Sequence, residues 1–290
     1  VMLFIAIGMG FSFSGVADGQ EWYPYVTGSM MGLFFIGLKD DLVGLSPLTK
    51  LGLELTLCTV AILGSSGVIQ NFGGVFGIDE VPYWAGFVVT LFTMIVVMNA
   101  YNLIDGIDGL AGGIGAIAAG MFGMGYLAAG MLPMAVLSLV VCVSLVGYLF
   151  HNFHPASIFM GDSGSLSVGF LLAFLAIHFI PLSWNDAFHA LVATSSPVLP
   201  VAILSYPLYD TIRSFIRRVR SGRSPFSPDR QHIHHVLMDL GLGQRRTVVY
   251  LCAASMFPAS IAWAFCNVDP TILLMLVLGA MLVVFPTNGF

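Results

Sequence analysis

Residues 84–113 read WAGFVVTLFTMIVVMNAYNLIDGIDGLAGG. An uncharged apolar run, 84–98, stops at Asn99, and apolar sequence resumes at Leu110. Between them stand Asn99, Asn102, Asp105 and Asp108, at intervals of three and with no cation beside them. An apolar run of this kind is what a helix crossing a bilayer requires, and polar backbone outside helices cannot face lipid. The stretch therefore predicts a membrane helix, a polar helix end, and a second membrane helix.

The same alternation runs through the whole chain. Of 290 residues, 58% are hydrophobic and 9% charged, against about 25% charged in soluble domains. Apolar runs fall at 1–14, 23–38, 48–69, 84–98, 110–130, 132–150, 165–181, 187–209, 247–266 and 271–286. The expectation is an all-α, polytopic transmembrane helical bundle of about ten helices, folded as one domain. Residue 1 is Val and the first run is short, so the ends read as trimmed, with no cleavable signal peptide. Cys58, Cys142, Cys252 and Cys266 lie in or at the end of apolar runs without metal spacing, and read as buried free thiols.

Charge orients the bundle. Lys39, Lys50, Arg213, Arg217, Arg218, Arg220, Arg223, Arg230, Arg245 and Arg246 all fall on one side of this segmentation. The opposite loops hold Asp18, Glu21, Asp79, Glu80, Asp186 and Asp269. The positive-inside bias makes the basic side cytoplasmic, with both ends of the chain on that side. Four polar clusters share it: GLKDDLVGLSPLTK (37–50), the 99–113 stretch, HNFHPASIFMGDSGS (151–165) and the 223–235 segment RSPFSPDRQHIHH.

Each cluster has a plain and a chemical reading. Asp40 and Asp41 suit a solvated boundary, or a carboxylate pair that holds a divalent cation or handles a phosphate proton beside Lys50. Glu54, one turn beyond Lys50, reads plainly as its i, i+4 ion-pair partner. Steps of three advance about 300° on a helix, so Asn99 to Asp108 cannot share one face. Gly106 and Gly109 permit the turn that would let them converge. Asp162, between two glycines, suits a helix N-cap or a hard-cation ligand. Oxygen ligands without paired cysteines favour Mg2+ or Mn2+ over zinc.

In the last cluster, Ser227 and Pro228 are expected to open a short helix that Gly241 ends, with His232 and His235 on one face and His234 pointing elsewhere. With Arg230 they form a phosphate-binding or proton-handling group. His151 and His154 read as interfacial loop residues, and His178 and His189 as structural. The arginines of 213–223 read as topology or headgroup contacts, within a cytoplasmic Arg/His-rich segment at 210–246.

Carboxylates, cations and histidines at one membrane edge point to metal-assisted chemistry on a phosphate, with a lipid partner. A membrane transporter is the competing class, but internal repeats and a midplane charge cluster are lacking. Nothing points to nucleic acid. A homodimer is one assembly open to such a chain.

Together the four clusters resemble the polyprenyl-phosphate N-acetylhexosamine-1-phosphate transferases, which include the WecA-type and MraY-type enzymes. The acidic pair matches Asp40–Asp41, the Asn/Asp signature NAYNLIDGIDGLAGG, the metal motif FMGDSGS, and the histidine loop PFSPDRQHIHH. The His-X-His-His form is similar to the WecA branch, which uses UDP-N-acetylglucosamine, whereas the MraY branch uses UDP-N-acetylmuramoyl-pentapeptide. Such members have about eleven spans, so the resemblance implies a further N-terminal helix and loop. It also implies Mg2+ on Asp162, with Asp105 and Asp108 in the nucleotide and metal region beside Asn99 and Asn102. Asp40 would activate the polyprenyl phosphate with Asp41 in support, and Lys50, Arg230, His232, His234 and His235 would orient the diphosphate. The product would be polyprenyl-diphosphate-GlcNAc plus UMP, the first step of a cell-envelope polysaccharide such as O-antigen. Direct attack by the lipid phosphate is favoured over a covalent intermediate.

Overall fold

The computed structural model of this chain describes residues 19–180, 197–222 and 232–285, together with Gly8, Ser12 and Gly15. Its α-helices are α1 (Tyr23–Val43), α2 (Pro47–Ser65), α3 (Tyr83–Leu103), α4 (Leu110–Ala128), α5 (Leu132–Asn152) and α6 (Gly161–Phe179). They continue as α7 (Val198–Ile203), α8 (Ser205–Arg220), α9 (Ile233–Asp239), α10 (Gln244–Ala264) and α11 (Pro270–Val284). Of these, α2, α3, α4, α5, α6 and α10 are long and apolar enough to cross a membrane. The chain is an integral membrane protein built as a helical bundle.

The apolar runs beginning at 23, 48, 84, 110, 132, 165, 247 and 271 fall on α1 to α6, α10 and α11. The run 1–14 lies outside the described residues apart from Gly8 and Ser12. The run 187–209 is not one span. Residues 187–196 lie outside the described residues, and the rest breaks at Leu204 between α7 and α8. Pro207 explains the break, because it lacks the N–H that an unbroken helix would donate to the Ile203 carbonyl. Helix α8 then continues to Arg220, well into the segment read from sequence as polar. Arg213 is 1% exposed and Arg218 is buried as well, so these two are interior residues rather than headgroup contacts. Of the four free cysteines, Cys58 and Cys266 are buried, whereas Cys142 and Cys252 are half-buried.

Helix α6 is the central post. Fully 78% of its apolar window is buried inside the protein, against 22% for α2 at the periphery. Its neighbours α1 and α3 approach it closely because small residues let helix backbones meet, the usual packing device in lipid. A Cβ on Gly169 of α6 would lie 2.9 Å from the Met98 carbonyl oxygen of α3. On α1, a Cβ at Gly37 would lie 2.4 Å from the Ser163 amide nitrogen. Gly37 therefore presses the end of α1, with its acidic pair, against the first turn of α6.

A tight turn next brings α2 back alongside α1. Gly44 adopts φ 79° and its N–H donates to the Asp40 carbonyl, while the Leu45 N–H donates to Asp40 Oδ1 at 2.7 Å. Ser46 caps α2 by accepting from the Thr49 N–H, and Pro47 opens the helix. Lys50 thus lies in the first turn of α2, facing the end of α1.

The close approach at Gly37 is testable. Gly37→Ala is expected to cost about 1–3 kcal/mol by overpacking and to lower the melting temperature in detergent. Gly28→Ala on the same helix meets nothing within 4 Å and is expected to leave it unchanged or slightly raised.

Candidate active site

A charged network crosses the end of the bundle where α1, α2, α3 and α6 meet. Lys50 Nζ donates to Asp40 Oδ2 at 2.8 Å and also to Asp162 Oδ2. On its other oxygen, Asp162 accepts from Asn102 Nδ2 at 2.9 Å. Asn102 Nδ2 also donates to Ser165 Oγ at 2.7 Å, and that hydroxyl donates to the Gly161 carbonyl. Asp162 is thus held by a cation on one oxygen and an amide on the other. Side-chain exposure is 17% for Lys50 and Asp40 and 30% for Asp162, so the network is partly buried and still reached by solvent.

Asp162 is not the cap of its own helix, in contrast to the plain reading of its position. The capping carboxylate is Asp41, which accepts from the Asp162 N–H at 2.9 Å and the Ser163 N–H at 3.2 Å. Unsatisfied amides and the helix dipole make this end favourable for negative charge. Asp41 fixes α1 to α6 and leaves Asp162 free to face Lys50 and Asn102. Asp40 and Asp41, adjacent in sequence, therefore have different partners.

The four residues of the opening stretch also separate. Asn99 donates to Glu54 Oε2 at 2.9 Å. Asn102 reaches Asp162. Asp105 takes a backbone hydrogen bond from Gly161 and feels the charges of Asp162 and Asp41. Burial first, and those two carboxylates next, push the Asp105 carboxyl up to about 7. Asp108 turns away, pairing through Oδ2 with His154 Nδ1 at 2.7 Å and accepting from the Ala156 N–H at 3.2 Å. The His154 hydrogen bond holds Asp108 below the usual carboxylate range, with Ala156 and Gln244 adding to it. Arg245 Nε donates to the His154 carbonyl. His154 is therefore a structural partner of the signature loop, a role its sequence position did not indicate.

Glu54 does not form the expected ion pair with Lys50. It is 1% exposed and its hydrogen bond goes to Asn99, since Lys50 is taken by Asp40 and Asp162.

The histidines sit on the other flank of the signature loop. His232 precedes α9 as its N-cap residue, so it does not share a helix face with His235 as the spacing suggested. Its Nδ1 pairs with Asp210 Oδ2 at 2.7 Å, and the Ile233 N–H donates to Asp210 Oδ1 at 2.9 Å. Asp210, fully buried on α8, thus anchors the loop and was missed from sequence. The rings of His232 and His234 stack with centroids 5.7 Å apart, and His235 lies against His234. A Cβ on Gly106 would fall 2.5 Å from His234 Nε2, so it is His234 that touches the signature loop. Burial, with His235 and His232 adding to it, pushes His234 down to about 4. Arg230, Ser227 and Pro228 lie outside the described residues.

Residues 23–180 match the glycosyl transferase family 4. The chain is 33% identical over 251 residues to a Bacillus subtilis protein named as a probable undecaprenyl-phosphate N-acetylglucosaminyl 1-phosphate transferase, covering 86% of this chain and 67% of that protein. It is 37% identical to a Mycobacterium leprae decaprenyl-phosphate N-acetylglucosaminephosphotransferase, over 74% of this chain and 58% of the relative. An Escherichia coli K12 undecaprenyl-phosphate alpha-N-acetylglucosaminyl 1-phosphate transferase is 31% identical, over 79% and 62%. The matched part spans roughly three fifths to two thirds of these relatives' lengths. Carrying the acidic pair, the Asn/Asp signature and the Gly-Asp-Ser-Gly turn inside the matched region, the chain belongs to glycosyl transferase family 4.

Proposed function

We propose that this protein transfers N-acetylglucosamine-1-phosphate from UDP-GlcNAc to a membrane polyprenyl phosphate, releasing UMP. The observation that carries the reading is Lys50 bridging Asp40 and Asp162 at the open end of a membrane bundle. It sets a phosphate-binding cation among carboxylates at the ends of membrane helices, and the relatives' names speak of N-acetylglucosaminyl 1-phosphate transfer with undecaprenyl or decaprenyl phosphate. The positive-inside bias of the basic residues supports a site at the cytoplasmic face of a bacterial inner membrane.

In the reaction, an oxygen of the lipid phosphate bonds to the β-phosphorus, the bond from that phosphorus to the bridging oxygen breaks, and UMP leaves. The attacking phosphate is already largely ionised near neutral pH. Asp40 therefore orients the attacking group and accepts a residual proton. Lys50 shifts from its carboxylate partners toward the diphosphate and neutralises charge there. Asn102 and Ser165 keep the Asp162 carboxylate in one orientation. His234 is neutral and contributes a hydrogen-bonding ring beside Gly106, while Asp210 fixes His232.

The donor set suits Mg2+ or Mn2+. Among the described residues no three His, Cys, Asp or Glu side chains form a complete metal cage. Mg2+ is usually held by one or two carboxylates plus substrate phosphates, and Asp162 with Asp105 supplies two carboxylates in mutual electrostatic reach. Such a cation supplies neutralisation of the diphosphate charge when bound.

Two outcomes test this. Protein in lipid nanodiscs, given UDP-GlcNAc, undecaprenyl phosphate and Mg2+, is expected to release UMP only when the lipid is present. Asp162→Asn is expected to lower kcat by about 10²-fold or more, the scale for losing a group that stabilises developing charge. No lipid-dependent UMP from any UDP-N-acetylhexosamine would remove the assignment.

Asp105 gives a pH test. Its folded value of about 7 lies above the ordinary 3.8, so the folded state binds the extra proton between those values. Its contribution to stability is therefore full below about pH 4 and is lost as pH rises through about 7. Melting temperature in EDTA is expected to fall over that window, and Asp105→Asn to flatten the fall. Added Mg2+ is expected to raise the melting temperature more at pH 8 than at pH 6.

A further inference from the structure

Below the charged network lies a second carboxylate–amide pair that the reaction does not use. Glu54 on α2 is 1% exposed and accepts from Asn99 Nδ2 on α3 at 2.9 Å. Asn99 Nδ2 also donates to the Ile95 carbonyl at 3.0 Å, so its amide hydrogens are spent inside the bundle. A buried carboxylate among apolar helices is costly and persists where it has a task.

The connections close into a ring. Lys50 and Glu54 are four apart on α2 and share a face. Lys50 reaches Asp162 on α6, Asp162 accepts from Asn102 on α3, and Asn99, three residues earlier, returns to Glu54 on α2. One turn of α2 and one turn of α3 thus span the same gap through two levels of bonds. The lower level ties α2 to α3 one helical turn from the upper one.

We infer that Glu54 is a positioning residue, which through Asn99 sets the separation of α2 and α3 that lets Lys50 and Asn102 meet on Asp162. It acts as a hydrogen-bond acceptor, and it rests on the proposed transferase reading only for its kinetic consequence.

The test compares Glu54→Leu, Glu54→Gln, Asn99→Leu and the double variant Glu54→Leu/Asn99→Leu. Small misplacements of catalytic groups cost up to about 10²-fold. Glu54→Leu is expected to lower kcat at least tenfold on that scale, with the KM for UDP-GlcNAc changed less than about threefold. Glu54→Gln, which keeps an acceptor oxygen and the side-chain length, is expected to restore kcat to within about threefold of the wild type. In melting experiments the two Leu substitutions are expected to be non-additive, as for residues in direct contact. Wild-type kcat in Glu54→Leu, or a Gln variant as impaired as the Leu variant, would overturn the inference. Additive melting shifts would overturn the clamp itself. A wild-type protein that releases no UMP would refute the transferase reading, and the melting cycle would still judge the clamp.

Discussion

The contact on which the site depends is the Lys50 ammonium shared between Asp40 and Asp162. In a chain with only 9% charged residues, charges carried into a helical bundle must find partners, because desolvated and unpaired they cost far more than the fold can absorb. Asp40 comes from the end of α1, Lys50 from the start of α2 and Asp162 from the start of α6. The pairing holds only if these three helix ends meet. The Gly37 contact, the Gly44 turn and the Asp41 cap on α6 are the local means by which they do. A site of this kind is assembled by helix packing, and the packing is secured in turn by the site's own ion pairs.

The same arrangement suits phosphoryl transfer. Such reactions depend more on positioning and charge neutralisation than on covalent chemistry from the protein. The signature loop between α3 and α4 touches both flanks of the site, through Asp105 toward Gly161 and through Gly106 toward His234. It therefore connects the carboxylate network with the histidine loop.

Most of the fold was legible in the sequence because apolar runs report membrane helices directly. The limits of α1 to α6 lie within a few residues of the runs that predicted them. What the runs could not show was the interruption at Leu204, since a proline in an apolar stretch does not by itself decide a break: Pro258 lies within the continuous α10. The site was legible as a set of residues, and Asp40, Asp41, Lys50, Asn102, Asp105 and Asp162 do assemble. Partnership was not legible. Glu54 was assigned to Lys50 because spacing favours i, i+4 neighbours, but tertiary packing offered Lys50 two better-placed carboxylates. His154 reads from sequence only as an interfacial loop residue and Asp210 not at all, because a histidine in a loop and an aspartate in an amphipathic helix carry no signal until their partners are known.

In the proposed reaction N-acetylglucosamine-1-phosphate moves intact from nucleotide to lipid at the Lys50–Asp162 network. The most direct measurement follows UDP-GlcNAc labelled with 32P at the β-phosphate and 14C in the sugar, incubated with the protein and undecaprenyl phosphate. Both labels are predicted to enter the lipid fraction in equal amounts, leaving unlabelled UMP in water. Carbon label in the lipid with the phosphorus label left behind as UDP would contradict the account, because the sugar alone would have moved.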